Sequence, residues 1–298
     1  MARGRDWFLG LLLAAALGVF IFFIFSLLFG VSDDGYARRG FSLHTGKRIG
    51  VVEIEGIILD SKNAVEQLER FQEDGSISAV ILRIDSPGGG VAASQEIYEA
   101  AKRVRQSGKF VIASMGSVAA SGGYYIACAA ETIMANPGTT TGSIGVISEL
   151  INMTELLNKI GIRFDVIKSG KYKDSGSPFR PMNEEDRKYF QSYVDDAYEQ
   201  FVGVVAAARR MEKAEVLKHA DGRVFTGQQA LALGLIDRLG TYQDAIALAA
   251  EVTGIEGRPR VVTPRKRRVT IWDIIFGDIE EHLIRLQTLP VLRYQWVL

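Results

Sequence analysis

The sequence predicts an α/β protein with a mainly parallel sheet, preceded by one transmembrane helix. From residue 49 onward, segments with strand-like apolar spacing alternate with segments of helical spacing. The run at residues 79–84 is almost entirely aliphatic, as expected of a strand buried on both faces. Residues 7–31 carry no charge. Alternating strands and helices imply a parallel sheet with right-handed crossovers, and the uncharged run indicates a membrane span.

The predicted elements follow one another in a regular order. Strands are predicted at residues 49–54, 79–84, 110–113, 132–135 and 163–168. Helices are predicted at residues 64–71, 91–104 and 119–130, and a long helix is predicted from an apolar stripe of Phe190, Val194, Ala197, Phe201 and Val205. Ligands of such folds bind at the carboxyl ends of the strands, so functional residues are sought there.

The uncharged run at residues 7–31 predicts an uncleaved membrane anchor. At ~1.5 Å per residue it reaches ~37 Å, which exceeds the ~30 Å hydrocarbon core. A cleaved signal peptide is the alternative, but its apolar part is only ~7–15 residues long. Arg3 and Arg5 precede the run and favour a cytoplasmic N-terminus, while four basic residues between positions 38 and 48 reduce the charge difference across it. The sequence therefore predicts a single-pass protein of the plasma membrane whose globular domain is extracytoplasmic and whose helix contacts lipid.

The remaining chain divides into four parts around this anchor. The predicted divisions are residues 1–6 as a cytoplasmic N-terminus, 32–48 as a linker, 49–260 as the globular domain and 261–298 as a basic and amphipathic tail. Within the tail, a short basic cluster precedes apolar residues at helical spacing from Trp272 to Leu286. Such a helix packs on its own domain or a neighbouring subunit, or contacts the membrane directly.

Composition excludes several classes of function. Thirty-five basic residues balance thirty-five acidic ones, so the chain has no general attraction for nucleic acid. The single cysteine, Cys128, forms neither an internal disulfide nor a multi-cysteine metal site. The three histidines lack the spacing of metal ligands. We therefore expect no metal, no cofactor and no nucleic-acid partner.

The first chemical motif is Asp-Ser-Pro-Gly-Gly-Gly at residues 85–90, directly after the strongest predicted strand. Three glycines permit positive φ and a close approach of backbone to ligand. The following helix offers unpaired N–H groups. Such a turn can stabilise an oxyanion, although a phosphate site or a plain tight turn would use the same residues.

The second motif is Ala-Ala-Ser-Gly-Gly-Tyr-Tyr at residues 119–125, at the start of an apolar helix. A serine in this position is often only an N-cap. Small neighbours would nevertheless let a peptide reach the Ser121 hydroxyl, and Gly122 offers an N–H beside it. The motif differs from the Gly-x-Ser-x-Gly elbow of α/β-hydrolases.

The third motif is Ser-Gly-Lys-Tyr-Lys-Asp at residues 169–174. A serine nucleophile needs a base, and no histidine lies in a suitable motif. A lysine can act as that base when burial disfavours the ammonium form. A solvated turn of lysine and aspartate is the alternative reading.

Together the motifs resemble the short form of the signal peptide peptidase A family. The matching segments are DSPGGG, SMGSVAASGGYY, KSGKYKDSGSPFR and GRVFTGQQALALGLIDRLG. Their order fits, with 173 − 121 = 52 positions between the serine and the lysine. The resemblance covers residues 49–255. It implies a crotonase-like or ClpP-like fold of repeated β/α units and an N-terminal anchor. It also implies a homo-oligomer with active sites at subunit interfaces.

The family's catalytic residues map onto this sequence by motif. The resemblance implies Ser121 as nucleophile and Lys173, rather than Lys171, as general base. It implies that backbone groups of Gly88, Gly89 and Gly122 bind the oxyanion. Ser169 resembles a serine that orients the lysine.

The implied function is a serine endopeptidase with a Ser–Lys dyad that makes residues 49–260 a peptidase domain. Its implied substrates are remnant signal peptides and other apolar, extended peptides, with small apolar residues beside the scissile bond. Two alternatives stay open: an acyl-CoA enzyme on the crotonase-like fold, and a non-catalytic membrane scaffold. We further expect that one chain does not hold its own dyad, while Gly88 lies near Ser121.

Overall fold

The structure is a computed structural model that describes residues 46–263 and 293–295, together with Leu17, Gly18 and Phe20. The chain forms two compact units, residues 1–45 and residues 46–298. In the first unit, the three described residues are helical and exposed. Apart from them, the predicted anchor at residues 7–31 lies outside the described residues, as does the predicted tail helix. None of the helices found among the described residues combines the length and the apolar character that a membrane span needs.

Strands of two to 11 residues make up the frame of the second unit. They are β1 (Arg48–Glu55), β2 (Ile77–Ser86), β3 (Gly88–Gly90), β4 (Phe110–Ala120), β5 (Thr132–Ala135), β6 (Thr140–Gly142), β7 (Val224–Thr226), β8 (Arg238–Leu239), β9 (Arg260–Val262) and β10 (Arg293–Gln295). Eight of these described strands form one sheet with the order β7-β6-β4-β2-β1-β9, while β5 lies between β4 and β8. All pairs in it are parallel except β6 with β7. β3 and β10 form a separate antiparallel pair.

Helices connect the strands and cover both faces of the sheet. They are α1 (Lys62–Glu73), α2 (Val91–Gln106), α3 (Gly122–Ala127), α4 (Thr154–Lys159), α5 (Glu184–Arg209), α6 (Lys213–Leu217), α7 (Gly227–Ala232) and α8 (Tyr242–Thr253). The larger apolar core lies between the sheet and α1, α2, α3 and α5. A smaller core lies under α8 on the opposite face. β2 contributes to both cores, which explains its continuous aliphatic run.

The prediction of an α/β fold with a mainly parallel sheet is confirmed. The predicted strands at residues 49–54, 79–84 and 132–135 are present, and the apolar stripe of the long helix is buried at Phe190, Ala197, Phe201 and Val205 and half-buried at Val194. Strand β4 extends seven residues beyond the predicted end at residue 113, to Ala120. The extension follows from pairing, because residues 118–120 form a parallel ladder with β6.

That extension corrects the predicted helix at residues 119–130. Ala119 and Ala120 belong to β4, and α3 begins only at Gly122. Small apolar residues suit a helix and a buried strand equally, so spacing alone placed the boundary too early. The serine between them is therefore on a strand-to-helix turn instead of inside a helix.

The predicted strand at residues 163–168 is also wrong for the single chain. The segment has no strand partner within the described part of the molecule. Its apolar side chains Phe164, Val166 and Ile167 are exposed. A strand requires a neighbour to satisfy its backbone groups, and the chain supplies none here.

Candidate active site

The glycine turn after β2 is held in place by backbone bonds on one side. Ile58 N–H donates to the Gly88 carbonyl at 2.9 Å, and Gly90 N–H donates to the Ile58 carbonyl at 2.8 Å. A Cβ on Gly89 would lie 2.1 Å from the Ile58 oxygen, so no larger residue fits there. Gly88 has φ +100°, a conformation that favours glycine. Gly88 is therefore required by its backbone conformation, and Gly89 is required by close packing.

Ser86 fixes the shape of this turn, and the sequence motifs gave it no role. Its buried hydroxyl donates to the Gly56 carbonyl at 2.6 Å and accepts from Gly88 N–H at 3.1 Å. The Gly88 N–H therefore points at Ser86, and it could bind an oxyanion only if this bond were broken. The only signal in the sequence was the position of this serine between a buried strand and the Pro-Gly-Gly-Gly run.

Ser121 occupies a strained turn between β4 and α3. Its backbone has φ 53° and ψ −115°, which lies outside the regions that residues with a Cβ normally adopt. Ser121 N–H donates to the Gly142 carbonyl at 2.8 Å, and Tyr125 N–H donates to the Ser121 carbonyl at 2.8 Å. The hydroxyl makes no capping bond to α3. An N-cap role is therefore wrong, and a strained residue held by its surroundings is typical of functional sites.

The structure brings Ser121, Gly122 and Gly88 together. A Cβ on Gly122 would lie 3.3 Å from the Gly88 Cα and 2.5 Å from the Ser94 hydroxyl oxygen. Ser94 is buried in the first turn of α2 and donates to the Gly90 carbonyl at 2.9 Å. Two backbone turns and one serine thus converge at the carboxyl ends of β2 and β4, where the fold predicts a site.

Lys173 lies on an exposed turn away from this convergence. Its backbone N–H donates to the Gly170 carbonyl at 3.1 Å, and its side chain is exposed. Within residues 46–263, no hydrogen bond joins the Lys173 ammonium to the Ser121 hydroxyl, and Ser169 is likewise exposed. The single chain therefore assembles the serine with the glycine turn but not with the lysine.

An ion-pair network ties the lysine turn to the start of α5. Asp174 pairs with Lys168 at 2.6 Å and with Arg180 at 3.0 Å, and Arg180 also pairs with the buried Asp186. Hydrogen bonds from Arg180 lower the pKa of Asp174 to about 2, and Arg180 also lowers the pKa of Asp186. The turn that carries Lys173 thus has a defined position although its surface is exposed.

A cavity of about 480 Å³ lies beside the serine turn. Its lining is formed by Ser143, Gly145, Val146, Ile147, Val194, Asp195, Tyr198, Ala220, Asp221, Gly222 and Gln295. It begins one residue beyond Gly142, the partner of Ser121 N–H. The cavity therefore adjoins the loop whose Gly142 carbonyl accepts from Ser121 N–H.

Two family models match the chain across this site. The model of peptidase family S49 matches residues 103–256, and the model of the Clp protease family matches residues 52–141. The first match includes both Ser121 and Lys173, and the second includes the glycine turn and Ser121. The ClpP-like character of the parallel sheet is thereby confirmed.

Curated relatives of similar sequence point to the same family. The chain is 48% identical over 217 residues to the "Putative protease slr0021" of Synechocystis sp., a match that covers 72% of this chain and 78% of the relative. It is 36% identical over 238 residues to the chloroplastic serine protease SPPA of Arabidopsis thaliana, covering 80% of this chain and 34% of the relative. It is 32% identical over 249 residues to protease 4 of Haemophilus influenzae, covering 76% of this chain and 40% of the relative. The last two relatives are thus much longer than the part that matches. By these matches the chain belongs to peptidase family S49 and is a serine peptidase of the signal peptide peptidase A family that its motifs resemble.

Proposed function

We propose that the chain is a membrane-anchored serine endopeptidase in which Ser121 is the nucleophile and Lys173 is the general base. The observation that carries the proposal is the conformation of Ser121. The surrounding structure holds a buried serine at φ 53° between a strand and a helix, against the backbone of Gly88 and Gly122. Such strain is retained where it serves a purpose.

The proposed reaction needs only groups of the protein and water. Lys173, in its neutral form, takes the proton from Ser121 as the oxygen attacks a peptide carbonyl carbon. Backbone N–H groups at Gly88, Gly89 and Gly122 stabilise the oxyanion. The protonated lysine then gives its proton to the leaving amine. Water hydrolyses the acyl-enzyme with the lysine acting again as base, which restores free Ser121.

The proposed assembly is a homo-oligomer in which the lysine of one subunit meets the serine of another. Exposed apolar side chains cluster on the segment between β6 and α5, at Ile151, Leu156, Ile160, Ile162, Phe164, Val166 and Ile167. Apolar surface of this extent marks an interaction site on a protein. Packing of this segment on a neighbour would bury Lys173, and burial favours the neutral amine that a base requires. Ser169 would then orient the amine.

The proposed location rests on the uncharged run at residues 7–31. A span there would place residues 1–6 in the cytoplasm and the peptidase domain, residues 49–260, outside it, with 32–48 as linker. By resemblance to the signal peptide peptidase A family, the proposed substrates are remnant signal peptides and other apolar, extended peptides. Protease added to intact cells or spheroplasts should remove the domain. Full protection of it would reverse the topology.

The geometry favours a peptidase over both alternative functions. An acyl-CoA enzyme would use the oxyanion turn but has no need of a strained serine beside it. A non-catalytic scaffold would have no reason to retain strain of this kind, because a relaxed turn is more stable by about 1–3 kcal/mol. Family membership points the same way.

Two alanine substitutions and one matched control test the base assignment. Ser121→Ala and Lys173→Ala should each abolish peptide hydrolysis with the fold intact, and the double variant should be little worse than either. Lys171→Ala is the control, because this exposed lysine pairs with Glu185 at 2.6 Å and has no catalytic role. Near-normal turnover by Lys173→Ala, or loss of turnover only in Lys171→Ala, would overturn the assignment.

A mixing experiment tests whether the dyad forms between subunits. Inactive Ser121→Ala and Lys173→Ala chains should regain partial activity when they are assembled together. The reason is that some interfaces then join an intact serine to an intact lysine. An absence of recovery, in mixtures shown to co-assemble, would mean that each chain completes its own site.

A further inference from the structure

Strand β4 carries a β-bulge at residues 116–118, shortly before it ends. Between two positions of the ladder with β4, β2 advances by two residues, from Ile84 to Ser86. Over the same step β4 advances by four residues, from Met115 to Ala119. Bulges bend a strand and re-aim its side chains, and they are common beside active sites. The bulge therefore determines where the last residues of β4 lie.

The carboxylate of Asp85 closes this bulge. Asp85 lies on β2 opposite the bulge, and its Oδ1 accepts from Val118 N–H at 3.0 Å. A Cβ on Gly116 would lie 2.7 Å from Asp85 Cγ, so the carboxylate packs directly against the bulge backbone. From the β6 side, the buried Thr139 hydroxyl donates to the Gly116 carbonyl at 2.7 Å. Side chains thus bind backbone groups of the bulge from both sides of β4, as buried backbone groups require.

Asp85 is itself fixed through its backbone. It pairs with Glu55 in the ladder between β1 and β2, and its carbonyl accepts from Gly56 N–H at 3.0 Å. The next residue, Ser86, binds the N–H of the glycine turn. Two neighbouring residues of β2 therefore hold the two halves of the site. Asp85 holds the strand that leads to the serine, and Ser86 holds the turn that faces it.

The part of β4 beyond the bulge leads directly into Ser121. Residues 118–120 pair with β6, and Ser121 N–H then donates to the Gly142 carbonyl at the end of β6 at 2.8 Å. This ladder requires residues 118–120 to lie where the bulge places them. The position of Val118 N–H therefore affects the strained turn three residues later.

We propose that Asp85 is a positioning residue for catalysis, which holds Ser121 in its strained conformation through the bond to Val118 N–H. The inference rests on the proposed function of Ser121 as nucleophile. A strained conformation persists only where the surrounding structure enforces it, and the Asp85 bond is one of the restraints that do so. Loss of this bond should let the end of β4 relax and move the Ser121 oxygen out of line for attack.

Hydrolysis of a fluorogenic reporter peptide by full-length variants tests this role. Asp85→Ala removes the acceptor and should lower kcat by about 10–100-fold, the cost of a misplaced reacting group. KM should stay within about twofold of the wild-type value, since Ser86 and Ile58 hold the glycine turn independently of Asp85. Asp85→Asn keeps an oxygen that accepts from Val118 N–H and should retain kcat within about threefold. An asparagine variant as impaired as the alanine variant would overturn the proposal.

Glu131→Ala is the matched control. Glu131 Oε2 accepts from Val111 N–H at 2.8 Å, so it is also a carboxylate bound to a backbone N–H of β4, but near the opposite end of the strand. Urea unfolding should show a lower midpoint in both alanine variants, whereas kcat should fall in Asp85→Ala alone. An equal fall of kcat in Glu131→Ala would overturn the proposal, because it would show that general weakening of β4 is sufficient.

Gly116→Ala keeps the test decisive if Asp85→Ala does not fold. The new Cβ, 2.7 Å from Asp85 Cγ, would push the carboxylate away from the bulge, so kcat should fall as it does in Asp85→Ala. The double variant should lose no more than either single variant, because both changes break the same contact. Unchanged kcat in folded Gly116→Ala, or additive losses in the double variant, would overturn the proposal.

Hydrogen exchange at the Val118 amide tests the bond without relying on activity. This amide should exchange faster in Asp85→Ala than in the wild type and at close to the wild-type rate in Glu131→Ala. Equal exchange in all three proteins would overturn the assigned bond. A wild type that does not hydrolyse the reporter refutes the proposed function, and the positioning role with it. An active wild type together with unchanged kcat in Asp85→Ala refutes the positioning role alone.

Discussion

Replacement of Gly88 by alanine tests the oxyanion turn most sharply. The new Cβ would lie 2.8 Å from the Gly122 nitrogen, which is closer than Cβ atoms come to atoms they are not bonded to. It would also enter the space that the Tyr294 carbonyl fills, at 1.9 Å from that oxygen. The variant therefore removes room for any substrate carbonyl beside Ser121.

Two separate effects are expected in Gly88→Ala. The positive φ of +100° strains any residue with a Cβ, which should lower the free energy of unfolding by about 1–3 kcal/mol. Exclusion of the carbonyl from its N–H donors should lower kcat/KM by about 10²–10³-fold, the size of effect seen when one oxyanion donor is lost.

Gly108→Ala separates these effects because it strains the backbone without blocking a substrate carbonyl. Gly108 has φ +89° in an exposed turn after α2, and a Cβ there meets nothing within 4 Å. Urea unfolding should show destabilisation in both variants, and more of it in Gly88→Ala, whose Cβ also overlaps the Gly122 nitrogen. Hydrolysis of a fluorogenic peptide should be impaired in Gly88→Ala alone. If the two variants differ by less than about threefold in kcat/KM, the turn does not bind the reacting carbonyl.

Three further outcomes follow from the charges and burial of the described residues. Arg180→Ala should lower kcat/KM several-fold while the Lys218→Ala control stays unchanged, because Arg180, unlike Lys218, anchors the lysine turn through Asp174. The pKa of Asp174 is about 2, below the ~3.9 of an unfolded aspartate, so the stability that its ionised form contributes is full above pH ~4 and is lost toward pH ~2. In urea unfolding, Arg180→Ala should lose less stability over this acid range than the wild type. An equal loss in both proteins would contradict the pairing. Burial raises the pKa of the Cys128 thiol to about 12, so native protein at pH 8 should resist iodoacetamide, and rapid labelling would contradict its burial.

The fold could be read from the sequence where one chain supplies all the partners of an element. The aliphatic run of β2 and the stripe on α5 are buried by elements of the same unit, so their spacing predicted them correctly. The segment at residues 163–168 has the alternation of a strand but lies exposed in the single chain. The spacing of apolar residues predicts that a surface is buried. It does not predict whether the same chain or another molecule buries it.

The site could be predicted only in part. The motifs identified Ser121 and the glycine turn, and the structure brings these together. The strain at Ser121 could not be foreseen, because small residues such as Ala119 and Ala120 fit strand and helix alike. Ser86 and Ser94 escaped notice because their roles are hydrogen bonds to backbone carbonyls, which leave no pattern in the sequence. The strand at Tyr294 was missed for a related reason, since three residues in a tail carry no periodicity.

Covalent labelling with a peptidyl fluorophosphonate tests the central claim directly, because the probe bonds only to an activated serine. Peptide mapping of the labelled wild type should place the adduct on Ser121. Ser121→Ala should show no adduct, and Lys173→Ala should be labelled at least about 100-fold more slowly, as expected when a base is lost. Lys171→Ala should be labelled at the wild-type rate. An adduct on any other serine, or equal labelling of the Lys173→Ala protein, would contradict a Ser121–Lys173 peptidase.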